Sequence, residues 1–265
     1  MDERDRARLR ATFDEAAQLY DHARPRYPAA LIADLAALGG LGPGIRVLEL
    51  GCGTGQLTVP LAKLGCQLVA LDIGPQMAAR ARKNLASYPA VRVITAAFEE
   101  WPLPAEPFDA VVSATAFHWI DPAVRVHKAA DALRAGGALA TIASEHVAGG
   151  DDSFFADAQE CYLRWDPSTQ PGHRLPAAAD IPLNSEELDR SGWFGPAIFR
   201  RYEWEQEYST AGYRDLLLTY SGHRALPRES LQGLLDCIAR LIDTRYSGKI
   251  TKRYMTELRI AHALR

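Results

Sequence analysis

Short apolar runs alternate with stretches of helical periodicity through the first half of the chain. The runs at 47–50, 67–72, 91–96, 108–114 and 137–144 read as buried strands. Between them, 56–64, 75–88 and 124–134 carry apolar residues at helical spacing. Two helices precede the first strand: a polar, amphipathic one over 4–19 and another over 29–38, which Gly39-Gly40 stops. Strands alternating with helices predict a parallel sheet with right-handed crossovers. The second half is less regular. An aromatic helix is expected over 151–165, with Phe154, Ala158 and Tyr162 at helical spacing, and then a loop rich in proline and alanine. The stretch 198–208 alternates like a strand. The stretch 210–246 is mainly helical, with breaks near Gly222 and Pro227. Over 252–264, Tyr254, Thr256, Leu258 and Ile260 fall on one side of a last strand.

The first strand ends unusually. Val47-Leu48-Glu49-Leu50 runs into Gly51-Cys52-Gly53-Thr54-Gly55, three alternating glycines behind an acid. This reads as a buried strand entering a tight turn that opens a helix, where main-chain atoms can approach a ligand closely because no Cβ intervenes. The second strand ends in Asp72, about where a ribose-binding carboxylate belongs. Together they indicate an adenosine-containing cofactor. A dinucleotide site needs G-x-G-x-x-G and a pyrophosphate on the helix N-terminus. Here the spacing is G-x-G-x-G, and Glu49 would repel a pyrophosphate. S-adenosylmethionine has no phosphate and carries an ammonium and a sulfonium, so a nearby carboxylate is favourable. The alternative, a purely structural glycine turn, leaves Asp72 unexplained.

Composition adds limits. The net charge of −3 gives no electrostatic footprint for nucleic acid or an anionic membrane. The N-terminal ten residues are highly charged and lack a signal-peptide core, and no long apolar span is present. Cys52, Cys66, Cys161 and Cys237 lie far apart with no C-x-x-C, which suggests reduced thiols of a cytoplasmic protein. The histidines show no metal-ligand spacing, so no metal is expected.

The ELGCGTG at 49–55 matches the first motif of the class I S-adenosylmethionine-dependent methyltransferases, which this chain resembles. The resemblance implies an α/β fold: a Rossmann-like, doubly wound, mostly parallel seven-stranded sheet with an antiparallel last strand, plus helical lid inserts. It implies one domain over 1–265, an N-terminal lid over 1–28, and inserts at 145–195 and 209–248 that cap a substrate. Arg134-Ala135-Gly136-Gly137 resembles the family's L-R-P-G-G turn, with alanine for proline. The Ser113–Trp119 stretch narrows the likeness to small-molecule enzymes, methyltransferase type 11 and trans-aconitate methyltransferase among them. Tyr20, Arg24 and Tyr27 resemble a Y-x-x-x-R-P-x-Y-P lid.

Carried onto this chain, the resemblance assigns cofactor binding to Tyr20, Arg24, Glu49, Gly51, Gly53, Gly55, Asp72, Ile73, Met77, Ala97, Phe98 and Ser113. Arg24 suits the methionine carboxylate, against the plainer reading of a surface arginine. Glu49 either reaches the ammonium through water or ties down the turn by accepting backbone N–H bonds. Asp72 accepts from the ribose hydroxyls. Ile73 and Met77 flank the adenine, although Met77 also suits plain helix core. Alanine at Ala97 stands where the family has an acid for the adenine amino group, so base recognition falls to Phe98 or Glu99. Trp101 suits packing. His118 is the candidate general base, with a loop-shaping role as the plainer alternative. Tyr27, His118, Trp119, Tyr220 and His223 are candidate substrate contacts. The expected function is methyl transfer to an O, N or C acceptor on a small molecule. The alternatives are a non-catalytic S-adenosylmethionine-binding protein of the same fold and an NAD-dependent oxidoreductase. Oligomeric state is not readable from the sequence.

Overall fold

The computed structural model describes residues 14–172 and 174–265. Most of the predicted first helix, at 4–13, lies outside the described residues. The first complete element is a short helix, α1 (Ala17–Ala23), which runs through Tyr20, where the sequence suggests a turn. Then come α2 (Ala29–Gly39), capped by Gly40 in the left-handed conformation, and β1 (Arg46–Leu50). The alternation predicted from periodicity continues in order: α3 (Thr58–Lys63), β2 (Gln67–Asp72), α4 (Pro75–Asn84), β3 (Val91–Thr95), β4 (Phe108–Ala114) and α5 (Arg125–Ala132).

The sheet has seven strands in the order β3-β2-β1-β4-β5-β7-β6. The first five strands, through β5 (Leu133–Gly150), pair in parallel. β7 (Lys249–His262) pairs antiparallel with both β5 and β6 (Ile198–Ser209). β1 is buried on both faces, as a central parallel strand must be, and this explains its unbroken apolar run. Leu48 and Leu50 pack into one core with Phe108, Val111 and Leu139. Val47 packs into the other with Leu31, Leu61, Val112 and Ile260.

β5 continues to Gly150, well past the expected end at 144, because residues 144–146 pair with Thr256, Met255 and Tyr254 of β7. Non-local pairing of this kind leaves no local signal. Beyond β5 lie α6 (Asp152–Trp165), α7 (Glu186–Ser191), α8 (Thr210–Leu217), α9 (Ser221–Arg224) and α10 (Arg228–Arg245). Gly222 sits inside α9, so the first break falls earlier than expected, around Leu218–Tyr220. Helices α6, α8 and α10 share a third core with the ends of β6 and β7, built on Phe154, Tyr213, Leu234, Ile238 and Tyr254. A disulfide joins Cys161 of α6 to Cys237 of α10, which corrects the expectation that all four thiols are reduced; Cys52 and Cys66 are free and buried. The two bridged residues are 76 positions apart and meet only because the helices pack face to face.

Candidate active site: two adjoining cavities

The carboxyl ends of β1, β2 and β4 open onto a cleft, where an open α/β sheet binds its ligands. Gly51 and Gly53 have positive φ values of 68° and 56°. A Cβ on Gly51 would sit 2.4 Å from the Cβ of Ala116, so this turn admits glycine alone. The Gly53 N–H donates to Asp72 Oδ2 and the Gly74 N–H to Asp72 Oδ1, both at 2.8 Å. One carboxylate thus fixes the turn after β1 and the turn after β2. A carboxylate oxygen can accept more than one hydrogen bond, a chemistry that suits a diol. Asp14 Oδ1 accepts the N–H groups of Gln76 (2.7 Å) and Met77 (3.0 Å) at the start of α4, where orphan helix donors need partners. Ile73, Met77, Phe98, Trp119 and Ile120 supply apolar walls. Ile73 is 46% exposed, an apolar side chain left open to a ligand.

Among the described residues lining this cleft, Asp14 and Asp72 are charged and none is basic. The donor set therefore suits a cationic nucleoside and offers a pyrophosphate no counter-charge. Beneath the turn, Glu49 is buried, and its Oε2 has no hydrogen-bond partner among the described residues. Burial pushes its pKa up to about 8; the Thr58 hydroxyl opposes that rise and the Asp72 charge adds to it. No backbone N–H among the described residues donates to Glu49.

Tyr20 and Thr115 line this cleft and also a second cavity of about 330 Å³. Thr115, with φ 52°, is one of two described non-glycine residues in the left-handed region, a strained conformation found most often at functional sites. The second cavity is walled by tyrosines. Arg24 lies between two of them, its Cζ 5.0 Å from the Tyr20 centroid and 4.5 Å from that of Tyr220. Its guanidinium donates to the Thr219 hydroxyl (2.8 Å) and carbonyl (3.0 Å). Lys252 Nζ donates to the Tyr220 hydroxyl at 2.9 Å. The two cations draw the Tyr220 phenol below its usual pKa despite burial. Tyr162 and His223 Nε2 are hydrogen-bonded at 3.1 Å. Burial lowers the His223 pKa to about 4, so the ring is neutral near pH 7.

The structure divides the predicted site residues into groups. Tyr20, Gly51, Gly53, Asp72, Ile73, Met77, Phe98 and Trp119 come together in the cleft. Tyr20, Arg24, Tyr27, Tyr220 and His223 meet in the tyrosine cavity. Others sit behind. Gly55 packs toward Leu85, the Ser113 hydroxyl donates to the Leu50 carbonyl (2.9 Å), and the Ala97 carbonyl accepts from Trp101 in the turn after β3. Glu99 accepts the Asp121 N–H and does not line the cleft. The His118 ring lies 4.9 Å from that of Trp119, tilted by 44°, but faces a separate polar cavity with Arg125 and Glu187. Burial and the Arg125 charge lower its pKa. Asp14, His146 and Lys252 also line the two cavities and escape sequence reasoning. For Lys252 a signal is present: it precedes Tyr254 by two, so the alternation that groups Tyr254 with Thr256 puts it on the same face of β7.

Comparisons with known proteins agree with this geometry. The profile of a family described as a methyltransferase domain matches residues 47–137, from β1 into the start of β5. An uncharacterized methyltransferase of Mycobacterium tuberculosis strain H37Rv is 37% identical over 131 residues, 49% of this chain and 51% of that one. An uncharacterized methyltransferase of Synechocystis is 37% identical over 83 residues, covering 31% and 38% of the two chains. A protein assigned as a type II methyltransferase of Anaeromyxobacter dehalogenans superposes with a TM-score of 0.58 at 24% identity, over 90% of this chain and 97% of that one. Phosphoethanolamine N-methyltransferase 2 of Haemonchus contortus, solved with phosphomonomethylethanolamine and S-adenosylhomocysteine, superposes with a TM-score of 0.53 at 16% identity, over 94% and 57%. These last two show the fold. Residues 47–137 of this chain thus match a methyltransferase domain, and the chain as a whole shares the fold of these methyltransferase structures. Its alignment spans about half the length of the first curated relatives. No helix among the described residues is long and apolar enough to cross a membrane.

Proposed function

We propose that the chain transfers the methyl group of S-adenosylmethionine to a small-molecule acceptor seated in the tyrosine cavity. The observation that carries this is the shared wall: Tyr20 and Thr115 line an acidic cleft on one side and a tyrosine-lined cavity on the other. In this reading the cofactor supplies an electrophilic methyl on a sulfonium. Gly51, Gly53 and Asp72 hold the nucleoside and its methionine tail. Ile73, Met77 and Phe98 enclose the base, and the Phe98 ring takes over part of the recognition that Ala97 cannot give. Arg24, stacked on Tyr20, acts on the cofactor through that ring. Residues 14–28 and the inserts at 145–195 and 209–248 form the cap that excludes water and aligns the reactants. Alignment alone can be worth an effective molarity of ~10⁵ M or more. The reading needs no strong base, and His118, facing the polar cavity, shapes the loop after β4. Work in the cytoplasm belongs to the same proposal; Cys161–Cys237 would be unusual there.

Calorimetry tests this directly. S-adenosylhomocysteine should bind and NAD should not, and labelled methyl from S-adenosylmethionine should appear in a product when a small-molecule extract is added. Binding without transfer would favour a non-catalytic S-adenosylmethionine-binding protein, and binding of NAD alone would overturn the assignment.

A further inference from the structure

The tyrosine cavity contains two cations and, among the described residues that line it, no carboxylate. Lys252 is buried at 4% exposure. Its ammonium has three N–H donors, of which the Tyr220 hydroxyl takes one, and no described carboxylate lies within ion-pair distance of it. Arg24 likewise pairs only with Thr219 among the described residues. Asp166, whose charge is felt by Tyr162 and His223, does not line the cavity and accepts instead from Ser168. Burying a cation such as Lys252 without counter-charge is expensive. An arrangement that keeps it and Arg24 on the wall of one cavity is complete only when an anion enters.

Tyrosine walls also suit an ammonium, through cation–π contact. Here three of the rings already carry a cation. Lys252 Nζ lies 5.2 Å from the Tyr220 centroid and 4.9 Å from that of Tyr254, and Arg24 covers Tyr20 and the same Tyr220. A second cation would be repelled by both. His223 is neutral, and its Nδ1 is buried without a hydrogen-bond partner among the described residues, which leaves one more polar group for a ligand.

We infer that the acceptor enters this cavity as an anion: a small carboxylic acid with a flat, apolar body, its carboxylate held on the free donors of Lys252. The inference rests on the proposed methyl transfer and adds its substrate class. The carboxylate takes the lysine's unused N–H groups, and the flat body lies among the tyrosines.

The test titrates benzoate, cinnamate and salicylate into protein saturated with S-adenosylhomocysteine, with benzylamine and benzamide as matched controls. The acids should bind and the amine and amide should not. Lys252→Met should weaken binding of the acids by about ten- to a hundredfold, the loss of one charge-assisted contact, and leave S-adenosylhomocysteine affinity unchanged. Lys252→Arg should restore most of it. Because the wild-type comparison needs no variant, a misfolded Lys252→Met leaves the inference exposed to refutation. Preference for benzylamine, or acid binding indifferent to Lys252→Met in folded protein, overturns it. If S-adenosylhomocysteine itself fails to bind, the methyltransferase reading fails instead, and the acids titrated into unliganded protein still decide whether the cavity is an anion site.

Discussion

Asp72 accepts the Gly53 N–H through Oδ2 at 2.8 Å, so the carboxylate at the end of β2 holds the glycine turn at the end of β1. Its other oxygen holds Gly74 at the same distance. Two loops that wall the cleft are fixed by one side chain before any ligand arrives. Asp72→Ala removes both the proposed ribose acceptor and the loop anchor. Charge-assisted hydrogen bonds contribute about 1.5–3 kcal/mol each, so S-adenosylhomocysteine affinity should fall by at least about tenfold. The fold should survive, since the freed N–H groups face a cleft that water enters. Calorimetry beside a thermal melt checks both, and unchanged affinity would remove Asp72 from the site.

In the proposed site, Glu49 should link cofactor binding to pH. Its pKa in the folded protein is raised to about 8, so the native state keeps a proton that the unfolded chain releases near pH 4.5. A carboxyl raised in this way lowers stability as pH climbs from roughly 4.5 through 8, and has no such effect below that window. A bound ammonium nearby favours the ionised form. Cofactor binding at pH 7 should therefore release protons, and affinity should rise with pH up to about 8. Calorimetry in buffers of different ionisation enthalpy measures the release. Glu49→Gln should abolish it; proton release that persists in this variant would assign the linkage to another group.

The sequence shows the parallel half of this fold plainly and the cap poorly, for a physical reason. β2 and β4 are buried strands whose apolar runs end where the strands end, and the predicted limits coincide with the observed ones. Asp72 and the glycines are legible because the turn imposes them locally. Arg24, by contrast, meets Thr219 from 195 positions away, and Lys252 meets Tyr220 across 32. Such meetings depend on how the cap folds back over the sheet, and no local period encodes that. His118 follows β4 directly, which in sequence suggests a place beside the cofactor. The short 3₁₀ turn at Phe117–Trp119 instead presents Trp119 to the cleft and His118 to another cavity.

Gly51 and Ala116 define a steric limit on the cofactor turn. The 2.4 Å approach of an added Cβ to the Ala116 Cβ and the positive φ both oppose any larger residue. Gly51→Ala should lose about 2–4 kcal/mol of stability, roughly 1–2 from the left-handed backbone and the rest from overpacking. Ala116→Gly in the same chain should recover the overpacking part and leave the backbone part. A double-mutant cycle on urea melts reads the coupling. Additive effects would mean that the two residues do not meet.

The Cys161–Cys237 bridge closes a loop of 76 residues between two helices of the cap core. Chain-entropy arguments put its contribution at about 4 kcal/mol, less any relief of strain. That stabilisation falls on the cap. The sheet keeps its own two cores, neither of which contains the bridge. Cys161→Ser with Cys237→Ser should therefore bring the cap's unfolding forward and leave the sheet's melt nearly in place, splitting one transition into two. The consequence reaches the tyrosine cavity, because Tyr162 follows Cys161 directly and holds His223 from the same helix. S-adenosylhomocysteine affinity should change little, whereas ligands of the tyrosine cavity should bind more weakly in the double variant and in dithiothreitol-treated wild type. Differential scanning calorimetry with parallel titrations separates the two effects. A single transition shifted as a whole would show that cap and sheet unfold as one cooperative unit, with the bridge stabilising both.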